Sequence, residues 1–291
     1  MFKGYFTALI TPFRDGKVDE GAYRALIDWQ IAEGIGGLVP CGTTGESPTL
    51  SHAEHMRLIE ICIDQARGRV PVVAGTGSNS TAEAIELTRH AKRAGATAAL
   101  LVMPYYNKPT QAGMYEHFKA IADAGDIPIL IYNIPPRSVV NMSVETMTRL
   151  SKLKNIVGVK DATADLARPT QMRVAAGPEF CQMSGEDGTA LAFFAQGGHG
   201  CISVTANVAP RQCIEVYKAW AAGDEKKALD LHTRLMPLHD AMFVETNPMP
   251  VKYAASLIGK CTGEMRLPMV TPLAASRERI EKAMRDLGLI R

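Results

Sequence analysis

Short apolar runs alternate along the chain with longer stretches in which apolar residues recur every three or four positions. The runs are Tyr5–Ile10, Gly37–Pro40, Val70–Ala74, Ala98–Val102, Pro128–Tyr132, Ile156–Lys160, Phe180–Ser184 and Gly200–Val204. Each has the length and composition of a strand buried on both faces. Between and after them, Glu20–Glu33, Ala53–Ala66, Thr81–Ala94, Ala112–Ala124, Val144–Leu150, Leu166–Ala175, Gly188–Gln196 and Ala209–Ala222 carry helical spacing or helix-favouring composition. Ser51 followed by Glu54 makes a capping box at the start of the second helix, and Gly34, Gly95 and Gly125 stand where C-caps are expected. Eight strand–helix units in series predict an α/β fold, a (β/α)8 TIM barrel over residues 1–223. A doubly wound sheet uses the same units, but eight of them at regular spacing favour the barrel. Residues 224–291 read as a C-terminal helical extension. Within it "DEKKALDLHTRLMPLHDAMF" is amphipathic, and "PMPVKYAASLIGK" opens on prolines suited to a first helical turn. Its expected role is structural, packing on the barrel or forming an oligomer contact.

Composition narrows the partners. The 291 residues are 46% hydrophobic and 21% charged, with a net charge of +2, so a core of ordinary size is expected and no strong field for an anionic polymer. No basic run interleaved with aromatics argues for nucleic acid, and no apolar stretch is long enough to span a bilayer. The opening "MFKGYFTALITPF" lacks the pattern of a signal peptide, which leads to the expectation of a cytoplasmic protein. The six cysteines, Cys41, Cys62, Cys181, Cys201, Cys213 and Cys261, are scattered without zinc spacing and read as reduced, mostly buried thiols. Cys41 precedes a glycine-rich loop and is either near a site or a small buried side chain.

Active sites of such barrels lie at the C-terminal ends of the strands. Lys160 closes the sixth apolar run, where a lysine needs a reason. Partial desolvation there disfavours the charged amine, and a neutral amine can attack a carbonyl to form a Schiff base; the plainer reading is a lysine reaching out at a rim. Tyr132 ends the neighbouring run and either moves protons or packs its ring with a wet hydroxyl. Arg137 follows two prolines, a stiff mount for a guanidinium that must hold a carboxylate, or else a solvated surface arginine. In "CGTTGES", Gly42 and Gly45 permit close backbone approach, and Thr43 and Thr44 offer hydroxyls and N–H groups to a small anion; a tight turn explains the same residues. Tyr105 and Tyr106 in "MPYYNKP" suit a loop at the site or a subunit contact. "GTGSNS" lacks the third glycine and the acidic partner of a dinucleotide fingerprint, and there is no Walker motif or nucleophile elbow. His52 and His55 stand three apart on a helix without an obvious third metal ligand, and His199 in "GGHG" reads as structural.

"TALITPF", "GTTGES", "AGTGSNSTAEAI", "PYYNKP", "YNIPPR", "GVKDAT", "GGHGCISVTANVAP" and "VETNPMPVKYA", in this order over nearly the whole chain, resemble the dihydrodipicolinate synthase family of pyruvate-dependent class I aldolases. The resemblance implies a Schiff-base lyase that condenses pyruvate with L-aspartate 4-semialdehyde, without metal or organic cofactor. It casts Lys160 as the lysine that binds pyruvate and Tyr132, Thr43 and Tyr106 as a proton relay. Tyr106 is there contributed by a neighbouring subunit of a homotetramer. Thr44 would hold the pyruvate carboxylate, Arg137 would gather the carboxylate end of the aldehyde, and the Ile202 carbonyl would line the site. Three departures from the pattern are Asp161 after the lysine, "SGEDG", and Pro48. N-acetylneuraminate lyases and 2-keto-3-deoxy sugar-acid aldolases share the lysine and tyrosine, but Thr43 and Arg137 favour the synthase. A catalytically dead sensor on the same barrel would be expected to lack Lys160 or Tyr132.

The resemblance further implies feedback inhibition by L-lysine at a second site of Ser47, His52, His55, Asn79, Glu83 and Tyr105. Glu83 can pair with an ammonium, and Asn79 can hydrogen-bond an amino-acid head group. In insensitive relatives the position of His55 often holds lysine or arginine. The plain alternative is a polar surface with ordinary capping residues.

Overall fold

A computed structural model describes residues 2–291. Among the described residues the strands are β1 Gly4–Ala8, β2 Phe13–Arg14, β3 Lys17–Val18, β4 Gly37–Val39, β5 Val73–Gly75, β6 Ala98–Val102, β7 Ile129–Asn133, β8 Ile156–Asp161, β9 Cys181–Ser184 and β10 Gly200–Ser203. The helices are α1 Glu20–Ala32, α2 His52–Ala66, α3 Thr81–Ala94, α4 Gln111–Gly125, α5 Pro135–Ser138, α6 Val144–Leu150, α7 Arg168–Ala176, α8 Ala190–Ala195, α9 Pro210–Ala221, α10 Glu225–Ala241, α11 Met249–Leu257 and α12 Ala274–Asp286. Eight strands share one sheet in the order β4-β1-β10-β9-β8-β7-β6-β5. Leaving out the hairpin strands β2 and β3, this is the chain order read cyclically, the signature of the expected (β/α)8 barrel; α10 to α12 follow it. By contacts the chain divides into two compact units, one of Pro71–Ile202 with residues 2–3, the other of Gly4–Val70 with Ser203–Arg291.

Within Pro71–Ile202, β5 to β9 pair in parallel in chain order. Side chains alternate across each strand, except that a register shift between β7 and β8, where Ile129 pairs with Ile156 and Leu130 with Gly158, interrupts the alternation of β8. Ala99, Leu101, Ile129, Ile131, Ile156 and Val159 join Met114, Phe118, Ile121, Met147, Leu150 and Met172 from the helices in one buried cluster. The intervening positions, among them Leu130, Tyr132, Gly158 and Lys160, fall on the other face of the strands. The Gly158 position has no room for a side chain: a Cβ there would meet the Cys181 carbonyl oxygen at 2.3 Å and Leu130 Cδ2 at 2.7 Å.

Within the second unit, β1 pairs in parallel with β4, and buried polar side chains tie the chain ends of the unit together. Gln30 accepts from Thr7 at 2.6 Å and donates to the Ala206 carbonyl at 2.7 Å. Asn207 donates to the Ala8 carbonyl at 2.7 Å and accepts from the Ile10 N–H at 3.0 Å. The buried amides of Gln30 and Asn207 are thus paired, as burial demands.

Several boundaries differ from the sequence pattern. The third run starts at Val73 rather than Val70, since Pro71 cannot donate to a sheet ladder and the Val72 N–H is taken by the Thr97 hydroxyl. The capping box at Ser51 and Glu54 forms as expected, and Gly95 adopts the left-handed C-cap. Gly125 does not act as a cap: it stays helical and Asp126 takes the left-handed turn. Gly125 instead faces Thr88, whose Cγ2 lies 2.8 Å from where a Cβ would sit. The β2–β3 hairpin lies outside the strand–helix alternation, although Asp15-Gly16, both at positive φ, is a strong hairpin signal.

Candidate active site

Lys160 sits on β8 opposite Tyr132 on β7 in the parallel register. Both are buried, at 5% and 6% exposure, and the Lys160 amine stands 4.1 Å from the centre of the Tyr132 ring. The end of β8 is held from several sides. Asp161 accepts from Arg168 Nε at 3.0 Å and from the Thr163 N–H and hydroxyl at 2.9 and 2.6 Å. The Arg168 guanidinium also donates to the Met142 carbonyl. Asn133, next to Tyr132, donates to Asn141 at 2.9 Å and accepts from the Met142 N–H at 3.2 Å. The lysine–tyrosine pair is therefore mounted on a strand end whose flanking polar groups are satisfied.

Two neighbours of the lysine escape the sequence pattern. Gly185 leaves space for it, since a Cβ there would lie 3.1 Å from Lys160 Cε and 2.7 Å from the Ala162 Cβ. Burial, reinforced by Asp187, pushes the Glu186 carboxyl above its ordinary range, while the charges of Lys160 and Arg137 pull it back. Both residues lie in "SGEDG", a stretch visible in the sequence only as a departure from a family pattern.

The remaining expected residues of this unit are placed as follows. Arg137 is exposed on α5, the single turn opened by Pro135 and Pro136. Ile202 is wholly buried on β10. Tyr106 is 87% exposed on left-handed backbone, φ 70°. Asn79 donates to the Tyr105 carbonyl at 3.2 Å and its own carbonyl accepts from Asn107 at 2.9 Å. Glu83 accepts from the Ser78 hydroxyl, and burial together with the Glu83 charge raises the Tyr105 phenol. Asn79, Glu83 and Tyr105 are thus brought together.

In the other unit the loop after β4 carries Thr43 and Thr44. Its turns close through the Gly45 N–H to the Gly42 carbonyl and the Glu46 N–H to the Thr43 carbonyl, each at 3.1 Å. Thr44 is buried and its hydroxyl accepts from Asn247 at 3.0 Å. Ser47 opens a single 3-10 turn. His52 is exposed at the first position of α2, while His55, one turn on, is buried. Cys41 is buried with left-handed backbone, and desolvation raises its thiol well above the ordinary range, as it does for Cys62. Among the described residues no cluster of three His, Cys, Asp or Glu side chains suits a metal ion.

Glu54, the capping-box carboxylate of α2, is drawn down to about 2, first by its bonds from Arg266 at 2.6 and 2.8 Å, against desolvation, then by the Ser51 N–H. A folded-state value below the ordinary one contributes stability that is fully present above pH ~5 and disappears as pH falls toward 2. Arg266→Met should therefore destabilise the fold at pH 7 by about 1–2 kcal/mol after solvent screening, read as a lower urea midpoint. The gap between variant and wild type should narrow at pH 3.5, and a gap that stays constant across this range would contradict the assignment.

Residues 1–287 match the model of the Dihydrodipicolinate synthetase family. A 4-hydroxy-tetrahydrodipicolinate synthase of Rhodospirillum centenum is 65% identical over 290 residues, covering 100% of both chains. A chloride-inhibited dihydrodipicolinate synthase from Acinetobacter baumannii, complexed with pyruvate, superposes with a TM-score of 0.97 at 44% identity over 100% of both chains. One from Cyanidioschyzon merolae with lysine bound gives a TM-score of 0.97 at 37% identity over 99% of both chains.

Proposed function

The chain belongs to the Dihydrodipicolinate synthetase family, and from that premise we infer that it condenses pyruvate with L-aspartate 4-semialdehyde to 4-hydroxy-tetrahydrodipicolinate, a step of lysine and diaminopimelate biosynthesis. The observation that carries the reading is a buried lysine at a strand end beside a buried tyrosine. Neutral Lys160 attacks pyruvate C2, and water leaves to give an iminium. The iminium withdraws electrons, a methyl proton is removed, and the resulting enamine attacks the aldehyde carbon. The substrate's own amine then displaces Lys160 by transimination, closing the ring and releasing the free lysine. The lysine supplies the electrophilic chemistry, so the sequence of steps calls for no metal or organic cofactor.

In this assignment Tyr132, Thr43 and Tyr106 carry protons. Thr44 holds the pyruvate carboxylate, Arg137 receives the carboxylate of the aldehyde substrate, and the Ile202 carbonyl lines the site. The test is a substrate panel. Turnover of pyruvate with L-aspartate 4-semialdehyde is expected, and turnover confined to N-acetylneuraminate or 2-keto-3-deoxygluconate would move the protein to a neighbouring aldolase. Among the described residues no helix is long and apolar enough to cross a membrane, and the cysteines are free thiols; the cytoplasm is the assigned location.

We assign Tyr106 to the site of a neighbouring subunit in a homotetramer. Its support is an exposed aromatic ring on left-handed backbone, a conformation unfavourable for any residue with a Cβ. Re-associated mixtures of Tyr106→Phe and Lys160→Ala subunits should recover activity that neither variant has alone. Mixed oligomers without activity would rule the sharing out.

L-Lysine is assigned as feedback inhibitor at Ser47, His52, His55, Asn79, Glu83 and Tyr105. Supporting this are the joining of Asn79, Glu83 and Tyr105, and Tyr105 being next to Tyr106. Coupling of this kind is typically worth ~1–3 kcal/mol, a 5- to 150-fold effect. Millimolar lysine should depress the initial rate of the wild type, and His55→Lys and Glu83→Ala should weaken that inhibition. An unaffected wild type, or equal inhibition of all three proteins, would end the proposal.

A further inference from the structure

Lys160 is one of two buried lysines among the described residues; the other, Lys252 on α11, has no part in the chemistry assigned above. Its amine reaches Glu46 Oε1 at 2.5 Å, with side-chain exposures of 0% and 1%. Glu46 stands two residues beyond Thr44, on left-handed backbone with φ 57°. Its second oxygen accepts from the Arg266 N–H at 3.2 Å. The aromatic face of Phe13 lies 4.2 Å from the Lys252 amine and 4.4 Å from the Arg266 guanidinium. Burial pulls the Lys252 amine down and the Glu46 charge opposes it.

The loop that carries Thr43 and Thr44 is pinned at several further residues. Asn247 donates to the Thr44 hydroxyl at 3.0 Å, Thr11 to the Gly45 carbonyl at 2.7 Å, and Arg266 to the Thr49 carbonyl at 2.9 Å. Three of the residues that hold this loop, Asn247, Lys252 and Arg266, come from the C-terminal extension. Glu46 is the only pinned side chain of the loop that bears charge, and its partner is as buried as it is. A paired buried carboxylate cannot leave its partner without stranding a charge in a low-dielectric interior, so this contact has one arrangement where a surface contact would have many. A left-handed turn at a residue with a Cβ persists only when its surroundings enforce it.

We propose that Glu46, clamped by Lys252 and the Arg266 main chain, is a positioning residue that sets the Thr44 N–H and hydroxyl for the pyruvate carboxylate, so that the C-terminal extension serves substrate binding as well as stability. The proposal rests on the assignment of Thr44 as carboxylate holder. Thr44→Val therefore comes first: if it leaves the pyruvate KM unchanged, that assignment fails, independently of Glu46. Glu46→Gln removes the charge. Glu46→Asp keeps it and shortens the reach by one methylene, so a compensated and folded variant remains even if the amide does not fold. Both should raise the pyruvate KM at least fivefold while the aspartate-semialdehyde KM changes less than twofold. Combining Glu46→Gln with Lys252→Met leaves no stranded charge; it should regain thermal stability relative to Glu46→Gln without regaining the pyruvate KM. A merely structural role predicts the opposite, that KM returns together with melting temperature. An unchanged pyruvate KM in a folded Glu46→Asp protein would overturn the proposal, and so would an equal rise in both KM values.

Discussion

Lys160→Ala should lose synthase turnover by roughly 10⁴-fold or more, the scale seen when a covalent nucleophile is removed from a site that keeps its binding groups. Arginine should not rescue it, since a guanidinium stays protonated and offers no nucleophilic lone pair. The folded state should survive, because alanine removes a buried polar chain and Gly185 already keeps the surroundings open. Borohydride reduction in the presence of pyruvate, read by mass spectrometry, locates the reacting amine. The label is expected on the peptide containing Lys160 and absent from the alanine variant. Lys252 makes this a real contest: it too is buried, and burial lowers its proton affinity. Its amine, however, is already engaged with a carboxylate at 2.5 Å. Label on Lys252, or alanine-variant activity within tenfold of wild type, would sink the assignment.

The second large effect concerns stability. Arg168→Met should destabilise the protein by about 3–5 kcal/mol, the usual result of leaving one member of a buried ion pair without its partner. Arg168 and Asp161 have side chains 8% and 6% exposed and lie 3.0 Å apart, and Asp161 follows Lys160 in sequence. The variant leaves Asp161 its bonds from Thr163 but no countercharge, and also removes the donor to the Met142 carbonyl. For a domain of this size the loss corresponds to a fall in melting temperature on the order of 10 °C. Arg168→Met combined with Asp161→Asn should recover much of it. A single variant that melts within 2 °C of wild type, against that ~10 °C expectation, would show that the pair is not integral to the strand end.

Strand–helix alternation was legible because continuous apolar runs and three-to-four-residue periods differ even where an end shifts by several residues, as from Val70 to Val73. The Ile156–Lys160 run needed no neighbour to be recognised, since an apolar tetrad ended by lysine is unusual in itself. The same logic failed at Gly125, where a glycine that resembles a cap is required instead by the approach of Thr88. It failed also at Glu46. A glutamate in a polar loop and a lysine in "VKYA" are unremarkable one by one, and 206 residues separate them. Arg168, Asp161 and Met142 meet through a fold in the chain, so no local period announces them.

By itself the sequence determined the periodicities, and so the series of strands and helices; it determined the capping box at Ser51; and it determined the motifs that carry the family resemblance and that make Lys160, Tyr132, Thr43, Thr44 and Arg137 candidates for the site. These depend on neighbours a few residues away or on linear order. Only the tertiary structure decided that Tyr132 and Lys160 lie opposite each other in register, that Gly185 clears space for the Lys160 side chain, that burial raises the Glu186 carboxyl, and that Glu46 is locked to Lys252. Each of these depends on distance or desolvation between groups remote in sequence. Such quantities arise only when the chain closes on itself and removes water from between them.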